Sequence, residues 1–508
     1  MKRLSTINSF SGAAQIVINT VLLLFVVRAI IGSLGLQSYG VYALITAIGA
    51  LGIFAGFGFN TSLIKYLAEQ EDRQESNYDI AAVFLVIGGA ASLVAVLSLL
   101  FNDFVLVRLL NIPRELVTPS VRFFYFACVG ANLLQVVSQV PGAVLDAQQK
   151  VYVTNSIQLV TGVLSKCLML ISLTVAPSLA WLGWIMLGTS LTVLVLLIRG
   201  ARRTWGRFSV PGWRKRFLPV ARKHFAYSHT VYASSIVGYF YETVTKVLIS
   251  HFAGLTEVGY FDLALRVRNP LWMVLDRLAY PVLPKIAAKK DIGKIRVLVE
   301  EAEQKLALIV VPIAVAVLSL SGPIVVAWLG SYIPQVAAGI DCVVGSYMVA
   351  VLFIPLYQFL LVKGHPEKAL ILQCCNLGIT VVGIAVFVPF FGYMAAVCAY
   401  SFGVLASTAG CAWYQHRFLH SSPFFPPAFR IKLLKLALSL AAVNAAGLLL
   451  GGAAEVRLAV MVALNAVAVV FLFRVFTMIT PEDLDRYFGR KSRTGMFVEW
   501  VFLRGGQA

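Results

Sequence analysis

Charge is scarce in this chain. Only 13% of its 508 residues are charged and 59% are apolar, whereas a soluble globular protein carries about 25% charged residues. With a mean hydropathy of +0.84, the composition excludes a soluble enzyme, a disordered chain and a secreted disulfide scaffold. A nucleic-acid-binding protein would share the pI of about 9.7 but not this hydrophobicity. We therefore predict a polytopic membrane protein without a nucleic-acid partner.

Residues typical of metal and redox sites are also few. The seven cysteines lie inside apolar stretches, without the spacing of a metal site or a disulfide framework. The six histidines are scattered, and the pair His416 and His420 lies in a basic loop without a further ligand nearby. Walker loops, nucleophile elbows, HExxH motifs and dinucleotide fingerprints are missing. We expect no metal, no cofactor, no enzymatic activity and no ATP-driven mechanism.

Long apolar runs dominate the chain. A helix needs about 20 residues to cross a bilayer, and fourteen runs of that length can be counted, at 10–31, 40–64, 79–101, 119–145, 151–175, 178–198, 225–252, 258–283, 306–328, 337–362, 369–389, 391–414, 430–450 and 457–477. We predict an all-α protein with about 14 transmembrane helices. Residues 285–305 mix lysines with Glu300, Glu301 and Glu303, which predicts an amphipathic helix on the membrane surface.

The distribution of Lys and Arg predicts the orientation. Of the 42 cations, 32 are assigned to the even-numbered loops, the two termini and the span ends beside them, four to the odd loops and the span ends beside them, and six to the spans themselves. By the positive-inside rule, both termini are cytoplasmic. The first span has a charged start but no small-residue cleavage site after it, so we expect it to be retained.

An internal repeat relates the two halves of the chain. Residues 35–44, GLQSYGVYAL, align without gaps to 254–263, GLTEVGYFDL, at an offset of 219. Both copies fall in the short turn between the first and second spans of a six-span unit, so the two halves share one orientation. This predicts an N-lobe at 1–198, a basic cytoplasmic linker at 199–224, a C-lobe at 225–417, and two further spans with a tail at 418–508. Two such lobes with a cavity between them are typical of an alternating-access transporter.

Two neighbouring spans carry polar stripes. Helical spacing places one set of side chains on a single face of the seventh span and another set on a single face of the eighth. They are Ser235, Tyr239, Glu242 and Lys246, and then Asp262, Arg266, Asn269, Met273, Asp276 and Tyr280, with Arg277 at the margin. A charge near the centre of a membrane helix costs about 2.5–3.5 kcal/mol, so these groups should face protein, water or a ligand.

The stripes suggest a cavity that binds an anionic substrate, because the planar guanidinium pairs two phosphate oxygens at once. The alternative is that Glu242 with Lys246, and Asp262 with Arg266, neutralise each other as i, i+4 pairs. Arg277 could also reach the cytoplasmic surface by snorkelling. If transport is coupled to H⁺ or Na⁺, then Glu242, Asp262 and Asp276 are the candidate carriers.

The first half offers fewer candidates. Arg28 lies near the external end of the first span, and its repeat counterpart falls within one residue of Lys246, which favours a symmetric cationic pair over simple snorkelling. Asn60 in the second span could line the same cavity. Arg268 points away from the stripe of the eighth span and is not included in the site.

Two segments resemble the polysaccharide transporter family of lipid-linked oligosaccharide flippases. They are LGLQSYGVYALITAIGALGIFAGFGFNTSLIKYLAEQ near the N-terminus and GLTEVGYFDLALRVRNPLWMVLDRLAYPVLPKIA, which has the family's glycine-aromatic turn and a helix ending in proline. The resemblance extends through the twelfth span. It also points to the superfamily that holds multidrug-and-toxin-extrusion exporters and lipid II flippases.

The resemblance implies a bacterial inner-membrane protein that moves an undecaprenyl-diphosphate-linked glycan to the outer leaflet for O-antigen or exopolysaccharide synthesis. Arg28, Lys246 and Arg266 match the cavity cations of relatives by location. Fourteen spans resemble a lipid II flippase, but the arginine-rich Asn-Pro signature of that group is missing. A cation-coupled drug exporter and a scaffold of a glycan-synthesis complex are the competing hypotheses. The expected partners are membrane lipids and a polymerase or other glycan-assembly proteins, around a monomer.

Overall fold

The computed structural model describes residues 2–50, 56, 58–70, 72–206, 208–279, 282–363, 365–421, 425–449 and 451–478, and gives the backbone alone at 2–10, 13, 14, 50, 229–239, 284 and 366. These residues contain no β-strand. They form seventeen α-helices: α1 Lys2–Leu34, α2 Leu36–Ala50, α3 Phe59–Glu69, α4 Arg73–Leu100, α5 Pro119–Ala147, α6 Val151–Val175, α7 Leu179–Trp205, α8 Trp213–Phe252, α9 Leu255–Ala279, α10 Val282–Ala288, α11 Ile292–Ser319, α12 Ser321–Leu329, α13 Pro334–Val351, α14 Ile354–Val362, α15 Pro366–Leu419, α16 Pro427–Leu448 and α17 Ala454–Val475.

The all-α prediction with about fourteen spans is confirmed. Each predicted span has a helical counterpart, and ten helical segments in the described part are long and apolar enough to cross a membrane. Four predicted spans are each divided between two helices: α2 with α3, α9 with α10, α11 with α12, and α13 with α14. The eleventh and twelfth spans together form α15, where Gly392 interrupts the helix at φ 62°.

The predicted surface helix at 285–305 is not a separate element. α10 ends at Ala288, and α11 begins after Asp291, whose carboxylate accepts hydrogen bonds from the first backbone N–H groups of the new helix. From there α11 runs without a break into the ninth span. It has two faces, as an amphipathic segment should, but its buried face includes Glu303.

The contacts divide the chain into two compact units, Met1–Asp262 and Leu263–Ala508. In the first unit, α5 contacts α2, α3, α4, α6 and α7, and 56% of its span is buried, against 17–22% for α1, α4, α6 and α7. It is therefore the central helix of this unit. α8 packs on α2, α3 and α4.

The second unit is organised around α11. This helix contacts α10 and each helix from α12 to α17. α16 and α17 pack on each other, and Leu436, Leu440 and Phe473 join Ala307 and Leu308 of α11 in one apolar cluster. The last two spans are thus part of the core of this unit.

The two copies of the repeat contact each other through their glycines. A Cβ atom at Gly40 would collide with the carbonyl oxygen of Leu255, and a Cβ at Gly259 would lie 3.4 Å from the carbonyl oxygen of Leu36. At the repeat offset of 219, Leu36 corresponds to Leu255 and Gly40 to Gly259. The two contacts are therefore reciprocal, and the glycine in each copy leaves room for the backbone of the other.

We expect Gly40→Ala to destabilise the protein by about 1–3 kcal/mol, because an added methyl group in a closed contact forces the backbones apart. Gly88→Ala on α4 is the matched control, since a Cβ there meets nothing within 4 Å. Thermal unfolding of the detergent-purified full-length variants measures the difference. Equal stability of the two variants would contradict the close crossing.

Candidate functional site

A buried ion pair links α8 to the start of α9. Lys246 Nζ lies 2.5 Å from Asp262 Oδ1, and both residues are more than nine-tenths buried. The Tyr39 hydroxyl of α2 donates a hydrogen bond to the other carboxylate oxygen, Oδ2. Three helices thus meet at one carboxylate. The ion pair offsets the cost of removing each charge from water.

Aromatic packing positions the Tyr39 hydroxyl. Tyr39 is fully buried, and its ring stacks on Tyr42 at a centroid distance of 5.9 Å. Tyr42 in turn stacks on Phe124 of the central helix α5 at 5.5 Å. Tyr39 directly precedes Gly40 in the chain. The close approach of the repeat turns at Gly40 and the hydrogen bond from Tyr39 to Asp262 are therefore made by neighbouring residues.

The other predicted residues of the first unit differ in burial. Glu242 is half-buried one helical turn before Lys246, and Arg28 is exposed on α1. Asn60 on α3 is half-buried, and its Oδ1 atom is buried without a hydrogen-bond partner. The side chain of Tyr239 lies outside the described residues. The structure therefore joins Lys246 to Asp262, while the roles of Arg28, Asn60 and Glu242 stay predictions.

The predicted residues of the second unit lie along α9. Arg266, Asn269 and Asp276 are half-buried, and Arg277 is exposed. Asn269 Oδ1 is buried without a hydrogen-bond partner. A buried amide oxygen that lacks a donor is costly, which suits a position that takes a donor from a ligand or from water.

Arg268 anchors α9 within the second unit. Its guanidinium lies 3.6 Å from the ring centroid of Tyr347 on α13, and its Nη2 donates a 2.6 Å hydrogen bond to the Tyr400 hydroxyl on α15. The Tyr347 and Tyr400 hydroxyls are 3.1 Å apart. These contacts bury the cation between two helices and hold α9 within the second unit.

A second buried network holds the first turns of α8, and no pattern in the sequence predicts it. His224 Nδ1 lies 2.8 Å from the Ser62 hydroxyl of α3, and its Nε2 lies 3.2 Å from Asp79 Oδ1 of α4. Lys223 Nζ lies 2.8 Å from the same Asp79 oxygen. Ser62, Asp79 and His224 are each at most 1% exposed. No motif spacing could reveal them, because His224 is 145 residues from Asp79.

The last turns of α8 are also fixed. The Ser250 hydroxyl donates a 2.6 Å hydrogen bond to the Leu110 carbonyl, and Asn111 Nδ2 donates back to the Ser250 carbonyl at 3.1 Å. His251 Nε2 lies 3.1 Å from the Arg108 carbonyl. Within the first unit, α8 is therefore bonded to its neighbours at Lys223 and His224 and again between Lys246 and His251.

The described residues do not bring potential metal ligands together. Across the described ranges, no group of three or more His, Cys, Asp or Glu residues could hold a metal ion. The chemistry that the described geometry supports is binding of charge and hydrogen-bonding groups.

Solved structures with the same fold include a lipid II flippase and transporters of the MATE family. The lipid II flippase MurJ in an inward closed conformation superposes with a TM-score of 0.72 at 11% identity, covering 92% of this chain and 98% of MurJ. An inward-facing multidrug resistance MATE family transporter of the MOP superfamily gives 0.61 at 14% identity, covering 79% and 94%. A point mutant of the Vibrio cholerae MATE transporter VcmN gives 0.57 at 15% identity, covering 84% and 100%. No curated protein sequence matches the chain.

The sequence also matches a family model, and the match includes the elements just described. The model is that of the polysaccharide biosynthesis proteins, and it spans residues 9–286. This is more than half of the chain, and it includes both repeat turns, the Lys246–Asp262 pair and the Asp79 network. Together with the ten helical segments that are long and apolar enough to cross a membrane, it indicates a multi-pass membrane protein. The chain belongs to the polysaccharide biosynthesis protein family.

Proposed function

We propose that the protein is a flippase that moves an undecaprenyl-diphosphate-linked oligosaccharide from the cytoplasmic to the outer leaflet, for O-antigen or exopolysaccharide synthesis. The family and the fold support a transporter of the MOP superfamily. The positive-inside distribution supports a bacterial inner-membrane protein with both termini in the cytoplasm. Its further partners would be a polymerase and other glycan-assembly proteins, and it would act as a monomer.

The observation that carries this proposal is the Lys246–Asp262–Tyr39 network. A diphosphate headgroup needs a desolvated cation, and Lys246 is such a cation, with a counter-ion that also accepts a hydrogen bond from a hydroxyl. Phosphate oxygens that bind Lys246 would compete with Asp262. Because Tyr39 adjoins the crossing at Gly40, release of Asp262 would also loosen the contact between the repeat turns. Headgroup binding and opening would thus be linked through one carboxylate.

A cation-coupled drug exporter is the second candidate, since two of the solved structures with this fold are transporters of the MATE family. A site for organic cations needs a carboxylate without a bound cation. Asp262, a candidate of this kind in the sequence, is already neutralised by Lys246. The network therefore favours an anionic cargo, and it leaves Glu242 and Asp276 as the candidate ion carriers among the residues predicted from the sequence.

A groove in the second unit suits the lipid part of such a cargo. It has a volume of about 550 Å³ and lies between α9, α10, α11 and α17. Its lining is apolar apart from Lys305 and Asn465, and it includes Leu278, Val282, Leu306, Ile309, Val469 and Phe473. A polyprenyl chain needs an apolar path in addition to the cation that binds its diphosphate. We assign the fourteenth span the role of forming that path.

We expect Lys246→Met to abolish surface polymer and to lower the membrane level of the protein, because an unpaired buried Asp262 costs about 3–5 kcal/mol. The double variant Lys246→Met with Asp262→Asn removes both charges, so it should restore the protein level but not export. Arg266→Ala should also abolish export. Immunoblots of surface glycan and of the membrane fraction measure both quantities.

The control for these variants is Arg114→Ala, which removes an exposed cation from a short 3₁₀ turn. It should leave surface polymer at the wild-type level. Normal polymer in the double variant would show that Lys246 does not bind the cargo.

We expect Ala466→Trp, which places a large ring in the groove, to reduce surface polymer at least tenfold without changing the protein level. Ala463→Trp on the same helix is the matched control, because this position is exposed but does not line the groove. The same immunoblots measure both variants. Equal export by the two would exclude the groove as the path of the lipid chain.

A further inference from the structure

Glu303 is a buried carboxylate that the proposed cargo site does not use. It lies on α11, outside the predicted cavity, and is 6% exposed. Its Oε2 accepts a 2.8 Å hydrogen bond from Nε2 of Gln415 on α15, and Gln415 is fully buried. The sequence predicts a surface helix around Glu303, so its burial is a finding of the structure.

Hydrogen bonds satisfy only some of the side-chain oxygens of Glu303 and Gln415. Oε1 of Glu303 and Oε1 of Gln415 are both buried and have no hydrogen-bond partner. Two acceptor oxygens without a donor are expensive in the interior of a protein. A proton on the carboxyl group would convert one of these acceptors into a donor, which removes the mismatch.

The charged neighbours do not neutralise Glu303. Among the described residues, no Lys, Arg or His forms an ion pair with it. Of the three cations on α11, Arg296 pairs with Glu300 at 2.8 Å, Lys294 lies nine residues before Glu303, and Lys305 lines the groove beside α17. Glu300, which also accepts a hydrogen bond from Ser421, is a like charge one turn away. On α15, Cys411 is the titratable group close enough to interact with Glu303.

The surroundings of the pair are apolar. Ile295 and Val299 of α11 pack with Leu356 and Leu360 of α14, and with Cys411 and Tyr414 beside Gln415 on α15. A carboxylate without a counter-ion in such a core is far less stable than the neutral acid, so the group takes up a proton. A monovalent metal ion would need several oxygen ligands, and the pair offers two free oxygens.

We propose that Glu303 is a proton-binding site, and that it is the residue through which transport is coupled to a proton gradient. The coupling rests on the proposed transport function, whereas proton binding does not. α11 contacts α10 and each helix from α12 to α17, so a change of charge at Glu303 acts on the helix around which the second unit is organised. Glu303 is then a proton carrier in addition to the candidates that the sequence offers, Glu242, Asp262 and Asp276.

Infrared difference spectra of the purified full-length protein, recorded between acidic and alkaline pH, test proton binding directly. We expect a carboxylic-acid C=O band in the wild type that is lost in Glu303→Gln and retained in Glu300→Gln. A band that persists in Glu303→Gln would overturn the proposal. So would a response of the carboxylate bands to NaCl, but not to pH, since this would indicate a metal ion.

A second variant tests the same proposal even if the Glu303→Gln protein does not accumulate in the membrane. Gln415→Leu removes the donor to Oε2, so the C=O band must persist but change its frequency. An unchanged frequency would assign the band to another group and reject the proposal.

The amount of surface polymer in the same variants tests coupling through Glu303 separately from the proposed transport function. Loss of polymer in Glu303→Gln, but not in Glu300→Gln, supports coupling through this residue, and normal polymer in Glu303→Gln would contradict it. If the band behaves as expected in a protein that exports no glycan at all, the proton site stands and the proposed cargo is wrong.

Discussion

The crossing of the two repeat turns leaves no room for a side chain at Gly40, and the hydrogen bond from Tyr39 to Asp262 depends on that close contact. The glycine lets the backbone of α2 approach Leu255 at the start of α9. This approach brings Tyr39 to Asp262, and Asp262 in turn binds Lys246. A larger residue at position 40 would separate the hydroxyl from the carboxylate. The ion pair would then lose the hydroxyl that satisfies its second oxygen.

α8, which carries Lys246, is bonded to its neighbours at several points along its length. Its first turns are bonded to α3 and α4 through Ser62, Asp79 and His224, and its last turns to the loop at Leu110 and Asn111. Lys246, one turn before Ser250, adds the bond to Asp262. The proposed displacement of Asp262 by a phosphate group would therefore release one of three attachments and leave the other two in place.

The sequence predicts the spans because hydrophobicity alone decides which segments enter a bilayer, and it predicts the repeat turn because two glycines and two leucines recur at a fixed offset. It places Lys246 and Asp262 on neighbouring polar stripes, although their pairing with each other depends on the crossing of α8 and α9. Tyr39 and His224 cannot be identified in this way, since their partners lie 223 and 145 residues away. The sequence does not predict the burial of Glu303, because the amphipathic pattern at 285–305 shows two faces but not which of them is covered by α14 and α15.

Two buried carboxylates in this chain have opposite environments, and the difference separates their roles. Asp262 has a cation at 2.5 Å and a hydroxyl on its second oxygen, so it is stable as an anion and can hold Lys246 until another anion takes its place. Glu303 has an amide on one oxygen and no hydrogen-bond partner on the other, so only a proton makes its position favourable. One group is suited to exchange of anions and the other to exchange of protons. Because they lie in different units, cargo binding and proton binding can be altered by mutation one at a time.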